Sequence, residues 1–283
     1  MTMIAPLPSL LIEDAVARAL REDLGEAGDI TSSACIPEDA QARAVIAARK
    51  PGVIAGIDLA RAAFRLVEPA IEIEIEKGDG AKLAKGDAVM RINGPARGVL
   101  SAERVALNFL GHLSGVATAT AALVEAVQGT SAKIVCTRKT APGLRAFEKH
   151  AVRCGGGYNH RFGLYDAVMI KDNHIAAAGG VGPALRAARA AIGHMVRIEI
   201  EVDGLTQLEE ALSEGAEVVL LDNMTTDDLK KAVTLAKGRA VLEASGNVTR
   251  ETVRAIAETG VDYISSGWIT HSAPCLDLGL DFE

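Results

Sequence analysis

VRIEIEVDGLTQLEEALSEGAEVVLLDNMTTDDLKKAVTLAKGRAVLEASGN, residues 196–247, is the stretch whose reading decides the fold. Three short apolar runs, Val196–Val202, Val218–Leu221 and Ala240–Leu242, alternate with two segments of helical spacing, Leu205–Ser213 and Thr226–Ala236. Asp203-Gly204 and the glycines at 215 and 238 punctuate them. Strand and helix in strict succession predict a parallel sheet, because a parallel neighbour needs a crossover connection. The same alternation extends outward in both directions. Ile134–Cys136, Ala167–Ile170 and Tyr263–Ser265 are further strand candidates, and Pro183–Ile192 and Thr249–Glu258 are further helices. The expectation is a (β/α) barrel.

The first ~110 residues lack this rhythm. Leu11–Leu24 and Ile57–Val67 have helical spacing; Arg43–Arg49 and the alternating Ile71–Glu76 read as strands, and Ser101 as the N-cap of a long helix. The expected class is therefore α/β, with an N-terminal α+β sandwich domain at 1–112 followed by an incomplete (β/α) barrel at 113–283. The closing residues are free to pack back on the first domain.

The chain has 283 residues, 49% hydrophobic and only 3% aromatic, and a net charge of −7, so its core is built from aliphatic side chains. An acidic balance speaks against nucleic acid or an anionic membrane as partner. No uninterrupted apolar run approaches the ~18 residues of a membrane span, and residues 1–10 lack the features of an export signal. A cytoplasmic location is expected. The four cysteines, Cys35, Cys136, Cys154 and Cys275, show no CxxC pair and read as reduced thiols rather than staples or zinc ligands.

The residues just past each apolar run carry the chemistry. Thr137, Arg138 and Lys139 come after the first, and Lys171 after the second. Glu199 and Glu201 share one side of the third, Asp222 and Asn223 come after the fourth, Glu243, Ser245, Gly246 and Asn247 after the fifth, and Ser265, Ser266 and Gly267 after the last. Any one of these could merely open a loop; six strands ending this way point to a shared C-terminal rim. Glu201 and Asp222 are hard oxygen donors suited to Mg²⁺. The two Ser/Gly turns, the first leading into a helix at Thr249, offer backbone amides to a phosphate. The stretch TRKTAPGLRAFEKHAVRCGGGYNHRFGLYDAVMIKDNHI, residues 137–175, collects Arg138, Lys139, Arg145, Lys149, His150, Arg153, His160, Arg161, Lys171 and His174. In an acidic chain such a concentration predicts a pocket for a small polyanion.

TRKTAPGLR, GGGYNHRFGLYDAVMIKDNHI, IEVDGL, LLDNM, EASGN and GVDYISSGWITHS, with GDIT and LSAERVALNFLGHLSGVATAT upstream, resemble the quinolinate phosphoribosyltransferase family over nearly the whole chain. The resemblance implies that quinolinate and phosphoribosyl pyrophosphate yield nicotinate mononucleotide, pyrophosphate and CO₂, with Mg²⁺, in NAD synthesis. It implies a homodimer, open to higher assembly, in which Arg104 of the ERVALN motif enters the partner's site. Arg138, His160, Arg161 and Lys171 match the quinolinate-binding cations. Lys139, Glu201 and Asp222, beside Thr137, match the pyrophosphate and Mg²⁺ groups. Ser245, Gly246, Asn247, Ser265, Ser266 and Gly267 match the loops around the 5-phosphate. Trp268 departs from the family's smaller residue, and His174 and His271 are explained equally well by packing. Nicotinate phosphoribosyltransferase, the molybdenum-locus homologue and a non-catalytic phosphometabolite sensor remain as alternatives.

Overall fold

The structure, a computed structural model, describes residues 4–283. In chain order it opens with α1 (Ser9–Leu24), α2 (Ile30–Cys35), β1 (Gln41–Ala48), β2 (Gly52–Val53), α3 (Ile57–Val67) and β3 (Glu72–Ile75). Then come β4 (Lys82–Leu83), β5 (Ala88–Pro95), α4 (Ala96–Ala126), β6 (Lys133–Val135), α5 (Arg145–Cys154), β7 (Val168–Ile170) and α6 (Asp172–Ala178). The remainder is α7 (Val181–Ala191), β8 (Ile198–Val202), α8 (Leu205–Ser213), β9 (Val218–Asp222), α9 (Thr226–Ala236), β10 (Val241–Ser245), α10 (Val253–Ala257), β11 (Tyr263–Ser265), α11 (Trp268–His271) and β12 (Leu278–Phe282).

Two compact units result. The first holds residues 4–121, 146–156 and 272–283, and the second 122–145 and 157–271. α4 runs unbroken through the expected boundary at 112/113, and most of α5 joins the first unit despite its place in the sequence. Ser101, expected as a helix N-cap, lies inside α4, its hydroxyl donating to Asp29 at 3.1 Å. The window of α4 that is long and apolar enough to cross a membrane is 67% buried within the fold, as a core helix is.

The first unit is built on an antiparallel sheet in the order β12-β1-β5-β3, with the small β2–β4 pair beside it. β1 alternates buried and exposed residues along most of its length, so one face meets the core. The closing strand β12, which sequence patterning alone does not separate, pairs with β1 from Ala44↔Phe282 to Ala48↔Leu278. The helix α1 buries Ile12, Ala15, Val16 and Leu20, a single stripe at helical spacing.

The second unit is a six-stranded parallel sheet in the order β6-β11-β10-β9-β8-β7. From β7 to β11 sequence neighbours are spatial neighbours, each reached through a helix, as right-handed crossovers require. Among the described residues β6 and β7 do not pair with each other, so the barrel is incomplete. Alternation sorts the side chains: Ile200, Val202, Val219, Leu221, Leu242 and Ala244 are buried apolar residues, and between them Glu201, Leu220, Asp222, Glu243 and Ser245 face a cavity. Register places Glu201, Leu220 and Glu243 in one row, with Asp222 and Ser245 in the row above, nearer the strand ends.

Candidate active site

The cavity at the carboxyl ends of the second unit's strands has a volume of about 670 Å³. Thr137, Arg138, Lys139, His160, Arg161, Lys171, Glu201, Asp222, Ser245, Gly246, Asn247, Ser265, Ser266 and Gly267 all line it, with Trp268 and His271 at its edge. Arg104, on α4 of the first unit, is solvent-exposed and is not among the lining residues.

The loop after β6 is fixed by its own hydrogen bonds. The Lys139 N–H donates to the Thr137 hydroxyl at 3.0 Å, and the Thr270 hydroxyl donates to the Lys139 carbonyl at 2.7 Å. Gly267 leaves the space this loop needs, since a Cβ there would lie 2.8 Å from Lys139 Cδ. Arg145 stays out of the cavity and staples two loops, its guanidinium donating to the Thr140 hydroxyl at 3.0 Å and to the Phe162 carbonyl at 3.1 Å. Lys149, His150 and Arg153 sit on α5 in the first unit, and His174 receives the Lys171 N–H at 3.0 Å as a helix-start contact. The expected ten-cation pocket therefore reduces to Arg138, Lys139, His160, Arg161 and Lys171. Sequence proximity groups residues that the turn at α5 sends apart.

Within that subset the charges are crowded. Burial, followed by the neighbouring Arg138 charge, lowers the proton affinity of the Arg161 guanidinium. Among the described residues, the buried Nε atoms of Arg138 and Arg161 have no hydrogen-bond partner. Two half-buried guanidiniums with unanswered donors are costly unless an anion completes them. Lys171 Nζ lies 2.6 Å from Glu201 Oε2, so a cation expected for the dicarboxylate and a carboxylate expected for the metal neutralise each other here.

His160 is oriented by its neighbours. The Arg161 N–H donates to its Nδ1 at 2.8 Å, so the ring proton is on Nε2, which meets Glu199 Oε2 at 2.6 Å. Both nitrogens thus have partners in the chain, and the ring lines the cavity. Beneath it Glu199 and Glu243 are buried, and burial, then the Glu199 charge, pushes the Glu243 carboxyl up to about 7. Both carboxylates belong to the polar strand-end sets that the sequence marks, although the resemblance gives neither of them a role.

The opposite wall is made of loops. Gly246 has φ +99° and abuts Asn223, so any side chain there would be strained and would clash. The Asn223 N–H donates to the Ser245 carbonyl at 2.9 Å and its side-chain amide to Asp222 at 2.7 Å, tying the metal candidate to the phosphate candidate. The helix expected from Thr249 is regular only over Val253–Ala257; before it Thr249 and Thr252 hydrogen-bond each other in turns. Around Ser245–Asn247 the cavity is therefore bordered by loop backbone rather than by a helix terminus.

Residues 29–114 match the family model for the quinolinate phosphoribosyl transferase N-terminal domain, and residues 116–281 the model for its C-terminal domain. The chain is 46% identical over 273 residues to the nicotinate-nucleotide pyrophosphorylase [carboxylating] of Mycobacterium leprae, covering 95% of this chain and 96% of that one. It is 45% identical over 260 residues to the probable nicotinate-nucleotide pyrophosphorylase [carboxylating] of Bacillus subtilis, covering 92% and 89%. The solved nicotinate-nucleotide pyrophosphorylase of Francisella tularensis superposes with a TM-score of 0.95 at 38% identity, over 100% of both chains.

Proposed function

We infer the function from an established membership: this chain belongs to the quinolinate phosphoribosyltransferase family. It is a decarboxylating phosphoribosyltransferase of NAD biosynthesis, acting on quinolinate and phosphoribosyl pyrophosphate to give nicotinate mononucleotide, pyrophosphate and CO₂. The roles of individual residues are our reading. The observation that carries it is the Arg138–Arg161 pair, whose mutual repulsion and unanswered Nε donors call for a ligand bearing more than one negative charge. Arginine suits planar carboxylates because its fork donates parallel bonds. Arg138 and Arg161 hold the two carboxylates, with Lys171 turning to them from Glu201. His160 and Glu199 brace this wall.

The loops Ser245–Asn247 and Ser265–Gly267 receive the 5-phosphate through backbone amides, and Lys139 faces the pyrophosphate. Glu201 and Asp222 fit Mg²⁺: both are cavity-facing carboxylates on adjacent strands, and two protein ligands plus water and substrate oxygens are a usual set for this ion. When bound there, the ion stabilises negative charge building on the departing pyrophosphate. The protein's own groups position the pyridine nitrogen against the ribose C1 and keep both anionic substrates apart by complementary charge. After the nitrogen has bonded to C1, the cationic ring accepts the electron pair left by the departing 2-carboxylate as CO₂. Arg104 is read as a contribution from a second copy of the chain in a homodimer, and the location as cytoplasmic.

The test is CO₂ release from quinolinate on addition of phosphoribosyl pyrophosphate and Mg²⁺, with nicotinate as the competing substrate. A site that leaves paired cations unanswered disfavours nicotinate, and discrimination of this kind reaches ~10⁴-fold. We expect quinolinate to exceed nicotinate by at least ~10³ in kcat/KM. Comparable efficiencies would overturn the assignment.

A further inference from the structure

The first unit carries a second group of reactive side chains that ribosyl transfer does not use. His150 and Cys154 are four residues apart on α5 and so share one face of that helix. Asp79, in the turn between β3 and β4, accepts the Ile57 N–H at 3.1 Å and meets His150 Nε2 at 2.8 Å. A carboxylate oxygen, a ring nitrogen and the Cys154 sulfur all lie within 4.8 Å of one another. The Asp79 and His150 side chains are 19% and 9% exposed, and Cys154 is 7% exposed.

We propose that Asp79, His150 and Cys154 are three ligands of a Zn²⁺ site in the first unit, with water completing a tetrahedron. A mixed oxygen, nitrogen and sulfur set suits this borderline ion and not Mg²⁺, which takes oxygen donors. An Asp–His hydrogen bond accounts for two of the three side chains as a simple tether, but it gives the thiol no part. Burial and the Asp79 charge push that thiol up, so alone it is a poor nucleophile, while the charge of Arg153 favours the thiolate. On binding, the Cys154 S–H proton leaves to solvent and a sulfur–zinc bond forms. The Asp79–His150 hydrogen bond gives way to one metal bond from each partner, the Nε2 proton moving to Nδ1 of the neutral ring, or to solvent from a charged one. Ligand bonds of ~2.0–2.3 Å need the three side chains to draw together slightly, which rotamer adjustment supplies. The site then clamps α5 to the β3–β4 turn. The absence of a CxxC motif argues against zinc from sequence; the set is legible only once Asp79, seventy-one positions before His150, is folded beside it.

The experiment uses the full chain, stripped with chelator and titrated with Co²⁺ as a spectroscopic stand-in for zinc. Expected are a thiolate-to-cobalt charge-transfer band and tetrahedral visible bands saturating at one equivalent, undiminished by excess Mg²⁺. Cys154→Ala should abolish the charge-transfer band, whereas Cys35→Ala, at an exposed thiol, should keep it. No such band, or one that survives Cys154→Ala, overturns the proposal; the carboxylates Glu201 and Asp222 cannot mimic it, lacking sulfur. Should Cys154→Ala not fold, the wild-type melting transition decides: Zn²⁺ should raise it at concentrations where Mg²⁺ does not, and an unchanged transition sinks the site.

Discussion

Close contacts between charged side chains dominate the cavity at the scale of single residues. Lys171 and Glu201 neutralise each other at 2.6 Å, while Asp222 accepts from the neighbouring Asn223 amide at 2.7 Å. If Glu201 and Asp222 hold Mg²⁺, Glu201→Ala or Asp222→Ala should keep the melting transition and lower Mg²⁺-dependent kcat by ~10²-fold or more, the scale of losing one electrostatic stabiliser. Near-normal kcat for both at saturating Mg²⁺ would refute that role. Glu243 supports a second prediction. Its carboxyl is raised from 4.5 to about 7 by burial and Glu199, so the native state binds a proton that the unfolded state has released. Its stabilising contribution is whole below the unfolded value and is lost as pH rises through the folded one. The urea midpoint of the wild type should therefore fall between about pH 5 and pH 8, and Glu243→Gln, which cannot titrate, should flatten that slope. Equal slopes in both proteins would remove Glu243 as the cause.

Among the elements, α4 shows how a backbone approach reverses a propensity. A glycine inside a helix costs ~1 kcal/mol relative to alanine, so Gly115→Ala would ordinarily stabilise. Here a Cβ at Gly115 would collide with the Pro274 carbonyl, and the Leu276 N–H donates to the Gly111 carbonyl at 2.9 Å. Backbone cannot yield as a flexible side chain can. We expect Gly115→Ala to destabilise by about 1–3 kcal/mol, the cost of overpacking, read as a lowered melting temperature. An unchanged or raised transition would mean that the closing segment shifts freely. Elements are unevenly legible from sequence. α3 matches its expected span and α8 and α9 match theirs, because each has a clean apolar stripe and glycine or polar punctuation. The helices α2, α5 and α6 and the strand β12 escape such a reading, since short elements give too few turns of pattern.

For the whole molecule, the proposed sharing of sites assigns Arg104 of one copy to the cavity of another. If sites are shared between copies, Arg104→Ala and Lys171→Ala subunits, each inactive alone, should complement when mixed. At equal mixing half the dimers are hybrid and each hybrid has one intact site, so about a quarter of wild-type activity should return, by the symmetry of a two-fold interface. No recovery after verified subunit exchange would count against sharing.

By itself the sequence determined the parallel α/β architecture and the identity of most cavity residues. Hydrophobic alternation records which side of a strand faces inward, and the polar residue ending each run records where chemistry gathers. TRK at 137–139, LLD at 220–222 and SGN at 245–247 are readable on that ground. Only the tertiary structure decided which cations converge. Arg145, Lys149, His150 and Arg153 sit in the same charged stretch as Arg138, but α5 carries three of them into the first unit and leaves Arg145 as a staple. Likewise only the fold shows that His160 meets Glu199 and accepts from its neighbour's N–H. Side-chain partnership depends on distances across the fold, and linear spacing carries no information about them.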